Sequence, residues 1–185
     1  GGYFNSAVSL GSSPLQVYSK QHLVPYGEFI PPGFAWFMAY ANIPMSSFSR
    51  GPEIQPPLAV AGRQVAANIC YEDVFGDEII RALPAAGILA NLSNTAWFGR
   101  SLAQPQHLQI ARLRAVETGR PMLRATNTGM TAIVDARGEI SAVLPPFTTA
   151  VLTGEVRAHT GMTPYARFGN WPALLLIFAS LAIAL

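Results

Sequence analysis

Short apolar runs at residues 65–69, 88–92 and 122–126 are separated by segments whose apolar residues recur at helical spacing, and that alternation limits the chain to a layered α/β fold. Residues 73–83 place Val74, Phe75, Ile79, Ile80 and Leu83 on a helical period and stop at Pro84. Residues 106–118 do the same with Leu108, Ile110, Ala111, Leu113 and Val116, and stop at Gly119 and Pro121. Further strands are expected at 131–134, 140–144 and 151–156, the first two joined by the turn Asp135-Ala136-Arg137-Gly138-Glu139. Such a hairpin makes the sheet mixed rather than wholly parallel. There is no internal repeat.

The basic residues are distributed unevenly by type. Eleven are arginine and one, Lys20, is lysine, and the chain also holds a single cysteine, Cys70. Lysine used only for solubility should recur, so a solitary one points to a role that arginine cannot fill. One cysteine excludes an internal disulfide, and His22, His107 and His159 are too far apart in sequence for metal-ligand spacing, so no metal and no cofactor is expected. With a net charge of +2 and no Lys/Arg run, nothing favours nucleic acid as a partner. Half the residues are hydrophobic and 12% are charged, which allows a packed core and makes membrane contact plausible.

The two ends support a membrane setting. The chain opens on Gly1-Gly2-Tyr3-Phe4 with no initiator methionine and no signal segment, and reads as the middle of a larger protein. Residues 173–185 are thirteen residues without a charge, preceded by Tyr165, Arg167, Phe168 and Trp171, which suit an interfacial belt. A bilayer crossing needs about 20 apolar residues, so the run reads as the start of a transmembrane helix, with a buried C-terminal helix as the alternative. The expected organisation is one α/β domain over residues 1–168 and the start of a membrane helix over 169–185.

Cys70 closes the strand at 65–69, at the turn into the next helix. There a side chain lifts out of the sheet, and a helix N-terminus favours a thiolate. A packed structural cysteine is the competing reading. Lys20 and Glu28 flank a Pro/Gly-containing loop, where an ammonium held by a carboxylate could stabilise an oxyanion, or where the two could form a surface ion pair of little energetic weight. Glu72 could hydrogen-bond the turn, orient a partner or cap the helix after it. Residues 31–44, with Phe34, Trp36, Phe37, Met38 and Tyr40, read either as an arm dipping into a bilayer surface or as a core helix.

Four segments together resemble the nitrilase superfamily of carbon-nitrogen hydrolases, and within it the apolipoprotein N-acyltransferases of bacterial inner membranes. They are Lys-Gln-His-Leu-Val-Pro-Tyr-Gly-Glu-Phe-Ile-Pro at 20–31, Ile-Cys-Tyr-Glu-Asp at 69–73, Asn-Leu-Ser-Asn-Thr-Ala-Trp-Phe-Gly at 91–99, and residues 106–127. The Val-Pro-Tyr-Gly-Glu form, the Thr-Ala-Trp-Phe-Gly loop, Thr-Pro-Tyr-Ala-Arg at 163–167 and the apolar tail carry the acyltransferase branch. The resemblance implies an α-β-β-α sandwich, here incomplete, on the periplasmic face of the inner membrane. It implies Cys70 as nucleophile, Lys20 as the triad lysine, Glu28, Tyr71 and Glu72 close to the active centre, and Trp97 and Phe98 on a loop near the lipid entrance. The triad's general-base glutamate is expected upstream of residue 1. The implied reaction moves an acyl chain from a phospholipid donor, through a Cys70 thioester, to the N-terminal amine of an apolipoprotein acceptor. A soluble amidase or nitrilase with the same triad and a non-catalytic nitrilase-like module are the rival readings.

Overall fold

The computed structural model describes residues 2–11, 14–33, 36, 40 and 48–184. Among these residues, eight strands and four α-helices succeed one another as β1 (Ser6–Ser9), β2 (Gln16–Ser19), β3 (Leu58–Val60), β4 (Arg63–Ile69), α1 (Gly76–Ile79), β5 (Ile88–Ser93), α2 (Ala103–Thr118), β6 (Met122–Thr126), β7 (Ala132–Val134), β8 (Ile140–Val143), α3 (Pro164–Phe168) and α4 (Trp171–Ala184). Strands β3 to β8 form one six-stranded sheet in sequence order, and β1 and β2 form a separate antiparallel pair. The β4–β5 and β5–β6 pairings are parallel and the others antiparallel, so the sheet is mixed as expected.

One face of the sheet packs on α2. Leu108, Ala111 and Ala115 of the helix meet Ala66, Leu89, Met122, Ala132 and Val134, and Ala111 and Ala115 are 0% exposed. Alanine at both helix positions lets the helix axis approach the strands closely, and Gly119 ends the helix in the left-handed conformation at φ 63°. The helix starts at Ala103, three residues before the expected start at Gln106, because Pro105 falls within the first turn, where its missing N–H leaves no bond unmade. The other face presents Ile69, Leu92 and Ala125 to a cavity that Asn5, Ser6 and Ala7 close from the β1–β2 side. The pair packs against β3 and β4. The Gln16 side-chain amide bonds both backbone groups of Ala59 on edge strand β3, which occupies hydrogen-bonding groups that would otherwise invite another strand.

Two expected elements differ. The single helix at 73–83 is instead a 3-10 turn over Cys70–Val74, the four-residue α1, and a second 3-10 turn over Ile80–Ala82. Phe75 leaves the helical region at φ −98°, ψ 83°, which breaks the run despite its helical apolar spacing, and the Arg114 and Tyr165 side chains close over Gly76 beside it. The expected strand at 151–156 does not form. After Pro145-Pro146 the chain leaves the sheet at β8 and runs outside it, Val151 being 87% exposed. It is pinned further on by His159 N–H to the Gly87 carbonyl and by Arg120 Nη2 to the Gly161 carbonyl.

Helix α4 is fully exposed and apolar, and among the described residues no helix is long and apolar enough to cross a membrane. No residue of α4 is buried. In the expected interfacial belt, Tyr165 instead donates to Asp77 at 3.3 Å while Trp171 and Phe168 are exposed. Most of the aromatic segment at 31–44 lies outside the described residues. Of its aromatic side chains Trp36 and Tyr40 are described, and both are exposed.

Candidate active site

Cys70 is the first residue after β4 and sits at φ 55°, a left-handed conformation that costs a non-glycine residue on the order of 1–3 kcal/mol. The strained turn takes the side chain out of the strand. Its thiol lines a cavity of about 1170 Å³ whose walls are mainly apolar. The Sγ lies 3.9 Å from the Asn94 carbonyl. The expectation that a helix N-terminus favours the thiolate is not met. Cys70 opens a five-residue 3-10 turn instead, and burial pushes the thiol above its ordinary value, with the Lys20 charge as the main opposing influence.

Lys20 is 0% exposed, which removes the surface-ion-pair reading. Its Nζ donates to Glu28 Oε1 at 2.8 Å and Oε2 at 2.6 Å. The backbone places it from both sides, Lys20 N–H bonding the Asn5 carbonyl and Gly51 N–H the Lys20 carbonyl. Glu28 is in turn held by the Val24 N–H at 2.8 Å and Asn5 Nδ2 at 3.3 Å. Its side chain is held in one orientation by these bonds, and it lines the same cavity as Cys70.

Glu72 caps the short 3-10 helix that begins at Cys70, reaching back to the Ile69 N–H, and it holds more than that turn. Its two oxygens accept from the N–H groups of Ile69 (2.7 Å), Gln21 (2.7 Å) and His22 (3.1 Å), and from Tyr18 Oη at 3.0 Å. It thereby ties the Lys20 loop to the Cys70 elbow. Burial raises its pKa, and these donors offset only part of that rise. Tyr71 lines the cavity and meets His22 and Phe75 edge-on, with ring centroids 5.6 and 5.0 Å away. Trp97 and Phe98 form a short turn at the cavity rim, 81% and 47% exposed. All seven residues singled out from the sequence thus surround one cavity or the turn beneath it.

A cluster that the sequence pattern does not reveal lies on the helix side of Cys70. Asp73, His107 and Arg124 are buried in mutual hydrogen-bonding contact, with Asn68 and Asn91 beside them. Within residues 106–127 the helical stripe and the strand dominate the pattern. A His and an Arg on the buried faces of those elements are the signal that could have exposed the cluster.

Comparison with known proteins agrees with this arrangement. The carbon-nitrogen hydrolase family model matches residues 1–165. The chain is 56% identical to the apolipoprotein N-acyltransferase of Nitrosomonas europaea over its whole length and 54% identical to that of Chromobacterium violaceum, and it spans 37% and 36% of those proteins. Among solved structures it resembles a carbon-nitrogen hydrolase from Helicobacter pylori, with a TM-score of 0.56 at 20% identity over 77% of this chain and 53% of that one. It also resembles the NitFhit protein of C. elegans, with a TM-score of 0.54 at 19% identity over 77% of this chain and 35% of that one. The fold, the elbow cysteine and the family match together place this chain in the carbon-nitrogen hydrolase family.

Proposed function

We propose that this chain is the catalytic part of a membrane apolipoprotein N-acyltransferase, with residues 1–168 as the catalytic domain and 169–185 as the start of a membrane helix, on the periplasmic side of a bacterial inner membrane. The observation that carries the reading is a strained-elbow cysteine opening, beside a clamped lysine, into a cavity large and apolar enough for an acyl chain. The activity named for the similar proteins of Nitrosomonas europaea and Chromobacterium violaceum, and the exposed apolar α4, support it.

The Cys70 thiolate attacks the carbonyl carbon of a phospholipid ester, and the Lys20 ammonium stabilises the oxyanion that forms. Collapse breaks the ester C–O bond, the lysophospholipid leaves with a proton, and a thioester remains. The N-terminal amine of a diacylglyceryl-cysteine apolipoprotein then attacks the thioester, loses a proton, and returns the thiolate. Among the described residues Glu28 is the one carboxylate lining the cavity, and both of its oxygens are engaged by donors, so it serves as clamp and not as general base. Trp97 and Phe98 lie where acyl chains would enter.

The test is mass spectrometry of the full-length protein incubated with phosphatidylethanolamine. An acyl adduct on Cys70 that hydroxylamine removes, and that Cys70→Ser abolishes, is the expected result. An unmodified Cys70 in protein that transfers acyl chains to a lipopeptide would overturn the assignment.

A further inference from the structure

A row of polar side chains crosses the helix-facing side of the sheet directly beneath the Cys70 elbow. Asn68 pairs with Asn91 and Asn91 with Arg124 in the parallel registers, so the three project in line from one face. All three are 2% exposed or less. Asn91 is saturated. Its Nδ2 donates to Asn68 Oδ1 at 2.6 Å and to the Cys70 carbonyl at 3.1 Å, and its Oδ1 accepts from Arg124 Nη1 at 2.8 Å and Ser93 Oγ at 2.6 Å.

A guanidinium only donates, so Arg124 dictates which way the Asn91 amide points. The oxygen must face Arg124, and the nitrogen is thereby turned to the Cys70 carbonyl. The reversed amide would set donor against donor and lose the bond to the elbow. Arg124 also grips the other end of the turn. Its Nη1 lies 3.2 Å from Oδ2 of Asp73, three residues past Cys70, while His107 bridges Asp73 Oδ1 at 2.9 Å and Arg124 Nη2 at 2.6 Å. Since Arg124 cannot accept, His107 Nδ1 must, which leaves the ring proton on Nε2 for Asp73.

We propose that Arg124, acting through Asn91 and Asp73, is a positioning residue that holds the Cys70 elbow in its left-handed conformation and so keeps the thiol directed into the cavity. This rests on Cys70 being the nucleophile.

The test uses the full-length protein with Arg124→Lys, Asn91→Ser and the double variant. A lysine keeps the charge but cannot reach Asn91, Asp73 and His107 together. Each single variant is expected to lower kcat for acyl transfer by about ten-fold, Arg124→Lys the more because it loses the Asp73 contact as well, while the lipopeptide KM stays within about two-fold, and the double variant to fall little below Arg124→Lys, because Asn91 acts on the elbow as Arg124 orients it. Wild-type kcat in either single variant, or losses that multiply in the double, would overturn the proposal. If Arg124→Lys does not fold, Asn91→Ser carries the same test alone, since it leaves the Asp73–His107–Arg124 contacts in place. The high-pH plateau rate of Cys70 alkylation by iodoacetamide needs no acyl substrate. It is expected to change several-fold in the variants. Lack of acyl transfer by the wild-type protein would refute the lipid reading alone, whereas an unchanged alkylation plateau in the variants would refute the positioning role.

Discussion

Cys70 stands between two differently built polar regions. On the cavity side, Lys20 and Glu28 form an ion pair whose carboxylate keeps 15% of its side chain accessible, facing apolar walls. On the helix side, Asp73 and Arg124 are both fully buried, and each is bonded to His107 as well. The first pair lines the cavity, its ammonium fully enclosed and its carboxylate partly accessible. The second is knitted into its surroundings through His107, which also lines the cavity, while among the described residues Arg124 Nε and Asn68 Nδ2 are buried without a hydrogen-bond partner. Burying charge is costly in both places, so each pair depends on its hydrogen-bonded partners. Under the proposed function the two have separate duties, the Lys20 ammonium stabilising an oxyanion and the Arg124 cluster holding the elbow.

Lys20→Met tests the cavity side most severely. Loss of this buried cation from the cavity that holds the thiol is expected to lower kcat for acyl transfer by about 100-fold or more in the full-length protein. Lys20 opposes the upward shift of the Cys70 thiol, so its removal must move the pH midpoint of iodoacetamide alkylation upward, away from neutrality. A midpoint that stayed fixed or fell would show that Lys20 does not act on the thiol, and the contrast between the two regions would collapse.

Glu72 ties the Lys20 loop to the Cys70 elbow and should affect stability more than rate. Gln in its place presents an NH₂ where the Ile69 N–H now donates, leaving a buried donor facing a donor, for an expected loss of about 1–3 kcal/mol read as a lower thermal midpoint. The pH dependence gives a second check. Because burial raises the Glu72 pKa in the folded state, the folded protein binds that proton more readily than the unfolded chain. Its contribution is therefore favourable at acid pH and is lost as pH rises from the ordinary carboxylate value through the raised one. The Gln variant should lack that decline, and a variant with the same pH profile as wild type would mean that Glu72 is not the titrating group.

The parts of this arrangement that were legible in the sequence are those with a local signature. The strands flanking Cys70 and α2 are marked by short apolar runs and helical spacing, and Lys20 and Cys70 by their rarity. The break at Phe75–Gly76 was hidden, because the apolar spacing across 73–83 continues through the point where Phe75 leaves the helical region. Edge strand β3 escaped notice because it has three residues and depends on the two-residue Ala61-Gly62 turn, with positive φ at both positions, to pair with β4. The Asp73–His107–Arg124 cluster joins residues as far as 34 and 51 positions apart, and no spacing rule links a turn, a helix and a strand. Its members become one unit only when the parallel registers align Asn68, Asn91 and Arg124.

Trp97 offers the mildest probe, and it separates the cavity from its rim. The side chain is 81% exposed and belongs to a three-residue turn, so truncating it removes little buried area. Trp97→Ala should therefore leave the thermal midpoint within about 1–2 °C of wild type, an effect corresponding to under about 0.5 kcal/mol. Its effect should fall on the lipid instead. An indole at the mouth of an apolar cavity contributes to acyl-chain binding through contact area, and losing part of that contact is worth about 1 kcal/mol. The KM for phospholipid should then rise about five-fold with kcat nearly unchanged, since the contact is made equally before and during acyl transfer. A fall in kcat would instead mean that the rim is coupled to the elbow, with the Asn94 carbonyl beside the Cys70 thiol as the connection between them, and the division between cavity and rim would fail.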